Sequence, residues 1–159
     1  MTDRIVVLTE EALGADDAAH IAGLHEGEDV DHLVLVAADT ERNVLADLLD
    51  HLSLGELREA LDAVRGRPDP ERARHDAATA LERSLAALRA AGLRAEGALT
   101  DDDPLAELRA AVADGARMVV VVTRVHAVED TFHRDWASRA RDSLGVPVLH
   151  LYAGTPRLG

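Results

Sequence analysis

The sequence predicts a three-layer α/β domain, a doubly wound five-stranded parallel sheet covered by helices on both faces. Three observations carry that prediction. First, the runs Ile5–Leu8, Leu33–Ala37, Met118–Val122 and Val146–Leu151 are short, rich in β-branched residues and nearly continuous in apolar character. Strands buried on both faces of a parallel sheet have this pattern, whereas half-exposed strands alternate. Second, helical segments with clear start and stop residues lie between these runs. Third, the order β-α-β-α-β-α-β-α-β closes into a doubly wound sheet when every crossover is right-handed.

The elements follow in order. Asp16 is placed to cap a helix running through Ile21 and Leu24. After the second strand, residues 41–52 carry Val44, Leu45, Leu48, Leu49 and Leu52, and Ser53 with Glu56 restarts a helix bearing Leu57, Leu61 and Val64. This predicts a helical insertion at about 41–67, closed by the turn Arg65-Gly66-Arg67-Pro68-Asp69-Pro70. Residues 73–91 place Ala77, Leu81, Leu85 and Leu88 on one stripe and stop at Gly92. Leu93–Leu99 alternates and suits a strand at the sheet edge. Asp103 caps a helix that begins at Pro104, turns Leu105, Leu108 and Val112 inward and ends at Gly115. The last helix carries Phe132, Trp136, Ala140 and Leu144, before Gly145 and Pro147. A single domain over 1–159 accommodates all of these elements.

Composition excludes several classes of function. Apolar residues make up 47% of the 159 and aromatic residues only 2%, so the core is aliphatic. No apolar run approaches the roughly 18–20 residues needed to cross a bilayer, and no membrane partner is expected. The first strand begins at Arg4, which leaves no room for a signal peptide. There is no cysteine, hence no disulfide framework, thiol nucleophile or thiolate metal site, and the expected location is cytoplasmic. With 17 basic and 30 acidic residues the net charge is −13, a surface that repels nucleic acid. Residues 41–67 resemble a helix-turn-helix reader in outline but hold more acids than arginines, the wrong sign for phosphate contacts. The chain contains no lysine, which excludes a Walker-type phosphate lysine, a Schiff-base lysine and the lysine of receiver domains.

Several phrases are similar to the universal stress protein family over nearly the whole chain. Thr100-Asp101-Asp102-Asp103-Pro104-Leu105-Ala106-Glu107-Leu108, followed by Gly115-Ala116-Arg117 and Met118–Val122, resembles the family's acidic turn, helix and "GAD" before its fourth strand. Leu144-Gly145-Val146-Pro147-Val148-Leu149-His150-Leu151 resembles its final "CPVLVV" strand. The resemblance implies a sheet of order 3-2-1-4-5, of the universal stress protein and adenine nucleotide alpha hydrolase-like type, from which the insertion at 41–67 departs. A flavodoxin-like arrangement is the alternative, although no flavin-loop signature is present.

ATP-binding members of that family place an Asp at the end of the first strand and a motif G-x2-G-x9-G-[ST] after the fourth. Glycines let backbone amides approach and cradle phosphate. Here the first strand ends Leu8-Thr9-Glu10-Glu11, and no glycine stands between Gly115 and Gly145. Glu129 and Asp130 also fall at the start of the last helix, where carboxylates complement the helix dipole and repel an anion. No cofactor is therefore expected, and ATP or AMP is disfavoured.

Ligands of open parallel sheets bind beyond the carboxyl ends of the strands, where the strand order reverses. In this topology that place lies between the first and fourth strands, and Thr9, Glu10, Val36, Ala37, Thr123, Arg124 and His126 are the candidate pocket residues. Arg124 opposite Glu10 either closes the site as an internal ion pair, the preferred reading, or binds an acidic small molecule. His126, Glu129 and His133 have spacings that suit a metal, but a solvated helical pair is the expected reading and no metal site is assigned. No Ser-His-Asp order and no carboxylate pair stands out, so no catalytic residue is assigned.

The expected function is a non-enzymatic stress-response or regulatory domain. The alternatives are a sensor of AMP, ATP or another small anion through Thr123 and Arg124, and an enzyme of the same architecture with unrecognised chemistry. The resemblance implies a homodimer through the last strand, Val148, Leu149, His150, Leu151 and Tyr152. The 41–67 hairpin is the second candidate interface.

Overall fold

The computed structural model describes residues 3–38, 70–100, 104–123 and 140–155. Its strands are β1 (Asp3–Thr9), β2 (Val30–Ala37), β3 (Arg94–Thr100), β4 (Ala116–Thr123) and β5 (Val148–Tyr152). The helices are α1 (Ala15–Leu24), α2 (Pro70–Ala90) and α3 (Pro104–Ala113), with a further helical stretch at 140–144. All neighbouring strands are parallel and their order is β3-β2-β1-β4-β5, as expected. The sequence insertion at 41–67 lies outside the described residues, as do Asp103, Phe132 and Trp136.

Two cores sandwich the sheet. On one face Val6, Leu8, Leu35, Val119 and Val121 meet Leu105 and Leu108 of α3 and Ala140 and Leu144. On the other, Ile5, Val7, Val34, Val36, Val120 and Val122 meet Ala18 and Ile21 of α1 and Ala77, Ala80 and Leu88 of α2. The chain builds outward from β1 to β3, then crosses back to β4 and β5. A crossover of one hand puts helices on opposite faces for opposite directions of travel, which separates α1 and α2 from α3. β3 alternates between exposed and half-buried residues up to Thr100, the pattern of an edge strand.

Two local expectations are corrected. The N-cap of α1 is Gly14, not Asp16, which lies in the first turn. Asp17 reaches back instead, and its Oδ2 accepts the Gly14 N–H at 2.8 Å, the carboxylate half of a capping box. The buried stripe of α2 is Ala73, Ala77, Ala80, Ser84 and Leu88, while Leu81 and Leu85 are only half-buried at its border. Small residues lead because α2 lies close to the sheet. The helix ends as its glycine predicts. Gly92 has φ 85°, Leu93 N–H bonds the Leu88 carbonyl and Gly92 N–H bonds the Arg89 carbonyl, a Schellman closure.

That close approach is sharpest at Gly97 of β3. A Cβ there would stand 2.5 Å from Leu81 Cδ1 and 2.8 Å from the Val34 carbonyl oxygen, and the latter belongs to the paired backbone of β2. We expect Gly97→Ala to lower the urea unfolding free energy by about 1–3 kcal/mol, the range for overpacking. Gly23→Ala in α1, where nothing lies within 4 Å of the added carbon, should instead raise it by up to about 1 kcal/mol. Equal effects of the two substitutions would show that packing at Gly97 is not limiting.

Candidate functional site

The strand order reverses between β1 and β4, so the crevice expected to receive ligands lies beyond Thr9 and Thr123. Thr9 stands beside Val36 on one side and Val122 on the other. The structure thus brings Thr9, Glu10, Val36 and Thr123 to one end of three adjacent strands, and all four are buried. Ala37 is paired with Thr100 at the end of β2. Arg124 and His126, and with them Glu129, Asp130 and His133, lie outside the described residues.

Both threonines are engaged within the chain. Thr9 Oγ1 donates to the Glu11 carbonyl at 2.8 Å and accepts the Glu11 N–H at 3.3 Å, which sets the turn leaving β1. Thr123 Oγ1 lies 2.7 Å from Nε2 of His150, a residue only 2% exposed. The His150 ring packs edge-on against Tyr152 with centroids 4.7 Å apart. The Thr123 carbonyl accepts the Ala153 N–H at 2.8 Å, so β4 and the exit of β5 are closed together.

The loop from β1 to α1 is pinned from two further directions. Leu13 N–H donates to Ser84 Oγ at 2.9 Å, and the same hydroxyl donates to the Ala80 carbonyl at 2.7 Å. Asp17 accepts Gly154 N–H on Oδ1 at 2.7 Å while Oδ2 holds Gly14. Its carboxylate therefore ties the start of α1 to the loop after β5 and occupies the helix N-terminus, the natural seat of an anion. Asp16 adds a second acid in the same turn.

Sequence reasoning missed Ser84, Asp17 and the inward face of His150. Ser84 falls on the i, i+3, i+4 stripe once Ala73 and Ala80 are included, which is a legible signal. The bonds of Asp17 to Gly154 and of His150 to Thr123 span 137 and 27 residues and leave no local trace.

A three-layer, doubly wound α/β sheet with its crevice at the β1–β4 reversal defines the class of fold. The universal stress protein from Archaeoglobus fulgidus shares it, at a TM-score of 0.55 and 13% identity over 94% of each chain. Hypothetical protein PH0823 matches at a TM-score of 0.50 and 16% identity, over 98% of this chain and 99% of that one. Hypothetical protein MJ0577 matches at 0.50 and 14%, with the same coverage. The chain has the universal stress protein fold. No protein-family model and no curated protein matches its sequence.

Thr123→Val keeps the side-chain shape but takes the hydroxyl from the buried His150 nitrogen. We expect a loss of about 1–3 kcal/mol in urea unfolding, the cost of a stranded polar group. A loss below a few tenths of a kcal/mol would mean that this bond does not hold β4 to β5.

Proposed function

We propose that this chain is a non-enzymatic, cytoplasmic regulatory domain of the universal stress type, that it works as a homodimer, and that it does not hold ATP at the β1–β4 crevice in the manner usual for that family. The observation that carries this reading is the Asp17 carboxylate at the N-terminus of α1, bonded to Gly14 and Gly154. An anion seated there would meet a fixed negative charge whose removal unties two backbone amides. The hydroxyls of Thr9 and Thr123, at the ends of β1 and β4, are already bonded within the chain. The sequence after β4 adds Glu129 and Asp130 and has no glycine before Gly145. Together these features leave little to wrap a triphosphate.

The position of β5 at the edge of the described sheet supports the dimer. Among the described residues β5 pairs with β4 alone, and its side chains include no formal carboxylate or guanidinium. An uncharged edge invites pairing with a second copy, whereas β3, the opposite edge, carries Arg94 and Glu96. Within β5, Val148, His150, Leu151 and Tyr152 are buried in the monomer and Leu149 is half-exposed. Backbone pairing and Leu149 are what the strand offers. No helix among the described residues is long and apolar enough to cross a membrane.

A ligand at 100 times its Kd stabilises a fold by about 2.7 kcal/mol. We expect no such thermal shift with millimolar ATP, and no nucleotide in mass spectra of protein purified without additions. Co-purified AMP, ATP or a dinucleotide would overturn the proposal and favour an anion sensor using the crevice. Leu149→Glu should convert the dimer to a monomer by light scattering, with unchanged circular dichroism. A persistent dimer would move the interface away from β5, to residues 41–67 in the first instance.

A further inference from the structure

The amino-terminal pole of the sheet, opposite the crevice, buries a titratable group that the reading above does not use. His32 of β2 is 1% exposed and stands in register between Ile5 of β1 and Ala95 of β3. Its Nδ1 is 3.2 Å from the Arg94 carbonyl oxygen. A carbonyl only accepts, so Nδ1 carries the ring proton and Nε2 holds a bare lone pair. Nε2 is itself buried and has no hydrogen-bond partner among the described residues. A second proton would place a cationic N–H there with no acceptor among the described residues, a far more costly arrangement than the neutral ring.

The charges around His32 come from every neighbouring element. The bond from Nδ1 to the Arg94 carbonyl and, on β2 itself, Asp31 favour protonation, whereas burial foremost and His25, in the turn after α1, oppose it. Asp31 is already taken by Arg94 Nε at 2.5 Å, and Arg94 also binds Asp29. From α2, Arg89 donates to the carbonyl of Ala95, the register partner of His32, at 2.8 Å. From β1, Arg4 pairs with Glu96 of β3 at 3.2 Å. From β4, Arg117 binds Asp3 at 2.7 Å and Glu28, and reaches His25 Nδ1 at 3.4 Å. Asp3, Glu28, Asp29, Asp31 and Glu96 are thus each paired with an arginine, and burial, the largest influence, keeps the His32 ring below the ordinary imidazole range. A cavity of about 230 Å³ lined by Arg4, Asp31, His32, Arg94, Ala95 and Glu96 lies at the same pole.

We propose that His32 is an acid-sensitive latch on the β2–β3 edge, which holds β3 closed while the ring is neutral and lets it open locally when the ring takes a second proton. β3 is the edge element, because among the described residues it pairs with β2 alone. The ring titrates near 6.5 when exposed and lower when enclosed, so the open state binds more protons below about pH 6.5. Stability of the edge is complete above that value and declines as pH falls through it.

Hydrogen exchange of the whole chain, followed by NMR and corrected for intrinsic rates, tests the latch. Between about pH 7.5 and about pH 5.5 the opening of β3 amides should increase by up to about tenfold, the effect of one ring with an open-state pKa near 6.5. Amides of β1 and β4 should change less. His32→Leu should abolish the excess at β3, whereas His75→Gln, on the exposed side of α2, should preserve it. The latch is refuted if β3 responds no more than β1, or if His32→Leu retains the response. Should that variant not fold, the wild-type ring resonances decide: titration of His32 at the ordinary imidazole value refutes the latch, and a depressed value accompanied by β3 opening supports it.

Discussion

Burial of β1 and β4 on both faces is the constraint from which the rest of the structure follows. Ile5, Val6, Val7 and Leu8 are fully buried, as are Val119, Val120 and Val121. Each such side chain contributes about 1.5–3 kcal/mol when removed from water. The same burial leaves the strand backbones no water to bond, so each must pair on both sides. β1 consequently sits between β2 and β4, and helices must cover both faces. Right-handed crossovers then leave one place where neighbouring connections diverge, the carboxyl ends of β1 and β4.

The two poles of this sheet are finished by different physics. At the carboxyl pole, buried hydroxyl, imidazole and carboxylate groups bond to one another and to loop amides through Thr123, His150, Ser84 and Asp17. Such bonds add about 1 kcal/mol each, but leaving one partner stranded costs more, so they specify loop positions sharply. At the amino pole, Arg4, Arg94 and Arg117 sit among acids near the surface. Exposed pairs of this kind contribute little to stability. Their effect is local: they fasten strand starts and occupy the carboxylates around His32, and Arg117 holds the Glu28 carboxyl below its usual range.

The contrast bears on function. In a fold that commonly supplies a crevice for ligands, Thr9, Thr123 and Asp17 are here bonded within the chain. The β1–α1 loop is bound to α2 through Ser84 and to the β5 exit through Asp17. The carboxylate of Asp17 thus joins the exit of β5, the proposed interface strand, to the start of α1.

The sheet, the place of each strand and the helix stops at Gly92 and Gly115 were legible from local pattern, although β2 begins at Val30, three residues before the expected Leu33, and β5 at Val148, two residues after the expected Val146. Continuous β-branched runs marked the central strands, alternation marked β3 as an edge, and Gly92 marked the end of α2. These signals are local because burial on two faces, burial on one face and a left-handed backbone each select residue types position by position. At the candidate site, chain order alone placed Thr9, Glu10, Val36 and Thr123 at one end of adjacent strands. Only the tertiary structure decided what those groups do. Thr123 meets His150, Leu13 meets Ser84 and Gly154 meets Asp17 because α2 and β5 pack against the end of the sheet. Partners brought together by packing are chosen by distance in space, and no spacing along the chain records that choice.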